Sequence, residues 1–220
     1  DIFKGLRAGT GRLVARMNNI SAVSQVVVVP GPLRKITISP NGLAARSTEK
    51  PVVIAGNTLQ FTAEGYDAFG NRINIAPIWS VWGGIGKIGG DGVFRGGTAG
   101  IGQVVATVGE IWTAMDVQVV PGPLSYVSVS PYTAYLPVSK EDHPSTQQFV
   151  ADGYDSAGNP VPLKSITWVT DVLAGNISAS GLFTAVTDPG TRIGEIVTNG
   201  TIWAHAASAA GGQVTGKGYV

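Results

Sequence analysis

The residues that could do chemistry in this chain are few, and their spacing does not bring them together. Cysteine is absent, and the two histidines, His143 and His205, stand far apart in the sequence. A zinc site draws on three or four clustered ligands, which two separated histidines do not supply. A Ser-His-Asp hydrolase needs its serine on a strained elbow, and no Gly-x-Ser-x-Gly occurs. Gly83-Gly84-Ile85-Gly86 and Gly89-Gly90-Asp91-Gly92 follow a strand-like run, yet no helix comes after them to offer its N-terminus to a phosphate. Both read as loops and bulges. Glu141-Asp142 falls in the Lys140–Pro144 stretch, an exposed loop by composition. The sequence therefore predicts a non-enzyme without a cofactor, and it assigns no catalytic or metal-ligating residue.

Two turns carry the remaining polar candidates, Asp67-Ala-Phe-Gly70-Asn71 and Asp155-Ser-Ala-Gly158-Asn159. With Glu64 or Asp152 nearby they offer oxygen donors for calcium. Calcium loops gather three or more carboxylates in a tight run, and each turn offers one. The structural reading is preferred: Asp accepts backbone N–H groups across the turn, and Gly supplies the positive φ of a type I hairpin turn with a bulge. Trp79 and Trp168 follow the turns at inward strand positions and are expected to anchor the core, with ligand stacking as the alternative. Trp112 and Trp203 follow the same logic. Trp82 has no counterpart, since Asp171 aligns with it, and is the candidate for an exposed aromatic contact.

These candidates come in pairs because the chain repeats. Gln60–Asn71 returns as Gln148–Asn159 with 8 of 12 positions identical, and Pro30–Leu33 returns as Pro121–Leu124 at an offset of 91. A unit of this length suits one autonomous domain per copy. Residues 2–33 also match residues 93–124 at 15 of 32 positions. The expected domains are therefore 1–29, the C-terminal part of a truncated domain; 30–120, a full one; and 121–220, a full one with a divergent, Gly-rich tail. About thirty residues cannot bury a core of their own. The stub is expected to need a complement resembling 30–90, from the same precursor or from a neighbouring subunit. Pro30-Gly31-Pro32 and Pro121-Gly122-Pro123 fall at the joints. Proline removes a ladder donor and fixes φ, so each joint is read as short and stiff, and the array as a semi-rigid rod.

Composition narrows the class. Net charge is +1 and charged residues are 13% of the chain, about half the globular norm, so no basic face for nucleic acid is implied. No apolar run exceeds four residues, as in Val26–Val29, which is strand-sized and far short of the ~20 residues of a membrane-spanning helix. The periodicity is that of strands: Ile36-Thr-Ile38, Val127-Ser-Val129 and Val117-Gln-Val119 alternate. The predicted fold is all-β, as tandem antiparallel sandwiches of about seven strands each. In the middle domain the strands are placed near 33–39, 51–54, 58–66, 72–82, 92–95, 101–108 and 111–120.

The "ITISP" and "VSVSP" openings, "QFTAEGYDAFGN", the Trp-containing strand, "GVF" or "GLFTA" and "GQVVAT" together resemble the bacterial and archaeal immunoglobulin-like domains of the BIG group. "GVFRGGTAGIGQVVATVG" is most similar to its group 2 pattern, and "YDSAGNPV" also resembles the repeats of invasins and intimins. The resemblance implies tandem building blocks of surface proteins, adhesins, S-layers or secreted polysaccharide-degrading enzymes, and carries no catalytic residue. The expected role is a structural segment of an extracellular surface assembly. The alternatives are an adhesin repeat region or the accessory array of a glycan-active enzyme. Expected partners are copies of itself, the rest of a longer precursor, or cell-wall or host glycans. Asn19, Asn176 and Asn199 head glycosylation-type triplets at about chance frequency.

Overall fold

The computed structural model describes residues 2–41, 50–137, 143–171, 175–185, 200–208 and 211–220. The chain is all-β, with no helix among the described residues. By compactness it divides into residues 1–53 with 57–119 and residues 54–56 with 120–220. The expected stub falls within the first of these units.

The first unit opens with a hairpin, β1 (Gly9–Met17) against β2 (Ile20–Val28), a two-stranded sheet of its own. Nine strands follow: β3 (Lys35–Pro40), β4 (Val52–Ile54), β5 (Thr58–Tyr66), β6 (Arg72–Ile73), β7 (Ile78–Trp82), β8 (Gly86–Ile88), β9 (Val93–Gly96), β10 (Gly100–Val108) and β11 (Ile111–Val120). One sheet runs β3-β5-β9-β8 with β6 also on β5, and the other β4-β11-β10-β7. Alternation along the strands turns one face of each sheet inward. Ile36 and Ile38 of β3, Val104 and Ala106 of β10, and Val117 and Val119 of β11 are all buried. Phe61 and Phe94 meet edge to face, with ring centroids 6.3 Å apart.

The second unit repeats the plan with β12 (Tyr126–Ser130), β13 (Thr146–Gln148), β14 (Val150–Tyr154), β15 (Pro160–Val161), β16 (Ile166–Thr170), β17 (Gly175–Ile177), β18 (Leu182–Ala185), β19 (Thr201–Ala207) and β20 (Gln213–Tyr219). Its sheets are β12-β14-β15, β13-β18-β17 and β16-β19-β20. One core cluster joins them: Val127 and Val129 from β12, Phe149, Phe183 from β18, and Ile202, Ala204 and Ala206 from β19.

Three differences from the expected strands have physical causes. The run 72–82 is not one strand but two, β6 and β7, with Pro77 in the gap between them; proline cannot donate to a ladder. A Gly-rich stretch expected as loop instead contains β8. A Cβ on Gly86 would stand 2.2 Å from the Arg95 carbonyl oxygen and 2.9 Å from the Phe94 ring, so this glycine lets a strand approach closely. Finally, Trp203 does not sit where Trp112 does. β19 lies between β16 and β20 as β10 lies between β7 and β11, and Ala204 opposes Trp168 as Ala106 opposes Trp79. Trp203 therefore takes the sheet position of Val105. Along β19 the inward side chains are Ile202, Ala204 and Ala206, all buried.

Candidate functional site

The Asp67 and Asp155 turns and the two Pro-Gly-Pro segments expected as joints, separate features in the sequence, come together once in each unit; Pro121–Pro123 adjoins the boundary of the second unit, whereas Pro30–Pro32 lies within the first. Asp67 follows directly on β5 and is buried. Its Oδ1 accepts the N–H groups of Phe69 and Asn71, each at 2.8 Å. Its Oδ2 accepts the Asn71 side-chain amide at 2.8 Å and the N–H of Gly31, between the two prolines of the joint, also at 2.8 Å. Asp155 repeats this. Oδ1 accepts Ala157 at 2.9 Å and Asn159 at 2.8 Å; Oδ2 accepts the Asn159 amide at 2.8 Å and the joint's Gly122 N–H at 2.7 Å. The backbone closes each turn, with Gly70 donating to the Asp67 carbonyl and Gly158 to that of Asp155. Gly70 and Gly158 sit at φ +80° and +84°, a region that favours glycine.

Proline leaves the joint with few backbone donors. Gly31 and Gly122 hold the N–H between the two prolines of their joints, and in each unit that N–H goes to the carboxylate. Past the second proline the ladder resumes, with Arg34 donating to the Tyr66 carbonyl and Ser125 to that of Tyr154. Pro30, Pro32, Pro121 and Pro123 themselves remain exposed.

The electrostatics follow from these contacts. Burial works to raise the Asp67 carboxyl. The Asn71 amide and the N–H groups of Gly31, Asn71 and Phe69 outweigh it and hold the pKa down at about 2, from an ordinary 3.8. Asp155 is lowered in the same way, burial being opposed by the Asn159 amide and the N–H groups of Gly122, Asn159 and Ala157. A carboxylate offers roughly four acceptor sites, and four donors occupy them. A cation at either Asp would have to displace those donors, so the geometry favours the hydrogen-bonded turn over a calcium loop. Among the described residues no three His, Cys, Asp or Glu side chains gather as metal ligands do.

Asn71 has a further role that the sequence did not signal. Its amide donates to the Leu6 carbonyl at 3.0 Å, and its Oδ1 accepts the Ala8 N–H at 2.8 Å. The segment leading into β1 is thereby tied to the Asp67 turn.

The aromatic candidates divide by strand parity. Trp79 and Trp168 face the buried alanines of β10 and β19 and are partly buried, Trp168 packing against the core cluster. The most deeply buried large rings are the phenylalanines, with Phe149 and Phe183 at 6.4 Å matching Phe61 and Phe94. The period-2 pattern carries that signal, since Phe61 and Phe149 occupy inward positions of their alternating runs. Trp112, expected inward, points outward, because Val117 and Val119 fix the odd positions of β11 as its inner face. It meets Trp82 at 5.6 Å between ring centroids, tilted by 54°. Trp82 is 48% exposed and Trp112 57%, while Val105, between them in the register, is 1% exposed on that same outer face.

His205 pairs through Nδ1 with the Thr215 hydroxyl at 2.8 Å on an exposed face, and His143 is exposed. Glu141, Asp142 and Asn199 lie outside the described residues. Asn19 sits in the exposed turn between β1 and β2, and Asn176 is exposed on β17.

A scan against protein-family models finds no match, and a search of curated proteins finds none either. Solved structures with similar architecture include mouse cadherin-23 EC22-24 (13% identity, TM-score 0.46, covering 96% of this chain and 71% of that one). Protocadherin gamma C5 EC1-3 is similar at 9% identity and TM-score 0.45, covering 97% and 77%. The S-layer protein SbsC is similar at 16% identity and TM-score 0.32; the match covers 90% of this chain and 30% of the S-layer chain. At these identities and scores the likeness extends no further than layered β-architecture.

Proposed function

We propose that the chain is a non-catalytic structural segment of an extracellular surface assembly, such as a stalk, S-layer or filament subunit, built from tandem immunoglobulin-like domains. The observation that supports this most is the duplicated clamp. In both units a buried carboxylate spends one acceptor position on the N–H of the preceding Pro-Gly-Pro joint, with distances that agree to 0.1 Å. Hydrogen bonds to a charged acceptor are about twice as strong as neutral ones. The device fixes how the chain enters each domain, which matters to a protein whose domains work in series. The partners on this reading are copies of the chain or the rest of a longer precursor. Electron microscopy of the native assembly tests it: a lattice or fibre labelled by antibody to this chain is the expected result. A soluble, unassembled particle inside the cell would overturn it.

The exposed Trp82–Trp112 pair favours a second reading, an adhesin repeat or accessory array that touches glycans. Aromatic faces with polar neighbours suit sugar rings, and Gln103 and Asp116, joined at 2.8 Å, share the outer face with Trp82. Saturable binding on a glycan array that Trp82→Ala abolishes would establish this reading in place of the first.

A further inference from the structure

The hairpin β1–β2 is a second edition of β10–β11. At the repeat offset of 91 their strands begin at equivalent residues, Gly9 with Gly100 and Ile20 with Ile111. The register is the same too: Leu13 opposes Ser24 as Val104 opposes Met115. Their surroundings differ. On β10–β11 the inward residues Val104, Ala106, Val117 and Val119 are at most 2% exposed. On β1–β2 every residue but Val26 and Val28 is exposed, with Leu13 at 43%. β10 gives one edge to β7 over Gln103–Thr107, and β11 gives its other edge to β4. The matching edges of β1, over Arg12–Arg16, and of β2 pair with no strand among the described residues.

The twin shows what covers such a hairpin. In each unit it is a front half: the strands from β3 to β9, or from β12 to β18, with a Phe pair at the centre. Counting then identifies the occupant. The described residues hold three back hairpins, β1–β2, β10–β11 and β19–β20, but two front halves, each engaged by the hairpin that follows it. A second copy of residues 1–220 brings the same excess, so no closed set of such copies fills every hairpin.

We propose that β1–β2 is a receptor for a third front half, a polypeptide of some sixty residues patterned like residues 30–92 and supplied from outside residues 1–220. It adds strands to both hairpin edges and places its Phe pair over Leu13, Ala15, Val26 and Val28. This inference rests on the repeat and the hairpin and is independent of the proposed surface role. The segment through Leu6 and Ala8, bound to Asn71, holds the receptor against the first unit's turn.

The test fuses a copy of residues 30–92 ahead of residue 1 of the full chain and follows amide hydrogen exchange. Amides of 9–28 should exchange roughly a hundredfold or more slowly than in the unfused chain, as core strands do. Leu13→Asp with Val26→Asp in the fused stub should abolish that gain and leave 58–119 unchanged. Three results would overturn the proposal: no gain on fusion, strong protection of 9–28 already in monomeric 1–220, or protection that rises with the concentration of unfused chain. The last would make a second copy the occupant.

Discussion

Beneath the sheets the two units are nearly superimposable in their chemistry; on the outer faces they part. Gln60 bridges the carbonyls of Phe61 and Asp91 at 2.8 and 2.7 Å, and Gln148 bridges those of Phe149 and Ser180 at the same two distances. Gly65 is hemmed in by Leu33 and Ile75 as Gly153 is by Leu124 and Leu163. Outside, the first unit presents Trp82 and Trp112, whereas in the second Asp171 replaces Trp82 and Trp203 stands over a different strand. Positions that are sterically or electrostatically over-determined repeat, and positions facing solvent are free to differ. The comparison can be broken at any repeated pair whose two members respond unequally.

The Phe pair should give the largest response. Phe183→Ala and Phe94→Ala each remove a ring with no exposed surface, at a cost of about 3–5 kcal/mol. Trp168→Ala, at a partly buried site, should cost less, about 2 kcal/mol. Urea titrations monitored separately for each unit would show it. A Trp168 effect above that of Phe183 would return the tryptophan to the centre of the core.

Next come the glycines that face the Phe carbonyls. Gly92 and Gly181 lie at φ +81° and +83°, and a Cβ on either would stand 2.4 Å from the carbonyl of Phe61 or Phe149. Alanine there combines backbone strain with a clash, about 2–4 kcal/mol. Thermal melts of G92A and G181A should fall by similar amounts, and a shift in only one would mean that one turn can relax.

How much of this was legible depended on whether the determining residues lay close in sequence. The Asp-x-x-Gly-Asn turns, the alternating strands and the repeat itself are local patterns. The clamp was not local: Gly31 and Asp67 are 36 residues apart, and nothing in either motif names the other. β8 was hidden because its glycine signals a loop by propensity but serves close packing here. Trp112 resembles a core residue because it repeats in sequence, while parity, set by Val117 and Val119, turns it outward.

The clamps themselves yield the third prediction. Asp155→Ala strands several buried N–H groups, at about 2–3 kcal/mol; Asp67→Ala acts in the same direction on the first unit. Both carboxyls have folded pKa values below the ordinary 3.8. Their contribution is therefore fully present above that value and is lost as pH falls toward the folded value, about 2 for Asp67. Stability followed from pH 5 to pH 2 should decline in the native chain, and less steeply in D67A and D155A. Parallel slopes in all three would place the acid sensitivity elsewhere.

The smallest effect belongs to the face where the units differ. Trp82→Ala removes half of a ring pair that lies largely in water. The loss should be about 1 kcal/mol or less, in line with a single exposed aromatic contact. Trp203 offers the control, since its partner position in the second unit is Val169, not a second ring. If Trp82 and Trp112 are a pair held together by mutual contact, Trp112→Ala should cost no more once Trp82 is gone, so the double mutant is less than additive. Full additivity would show two independent side chains, and with it the one feature that sets the first unit's surface apart would lose its physical basis.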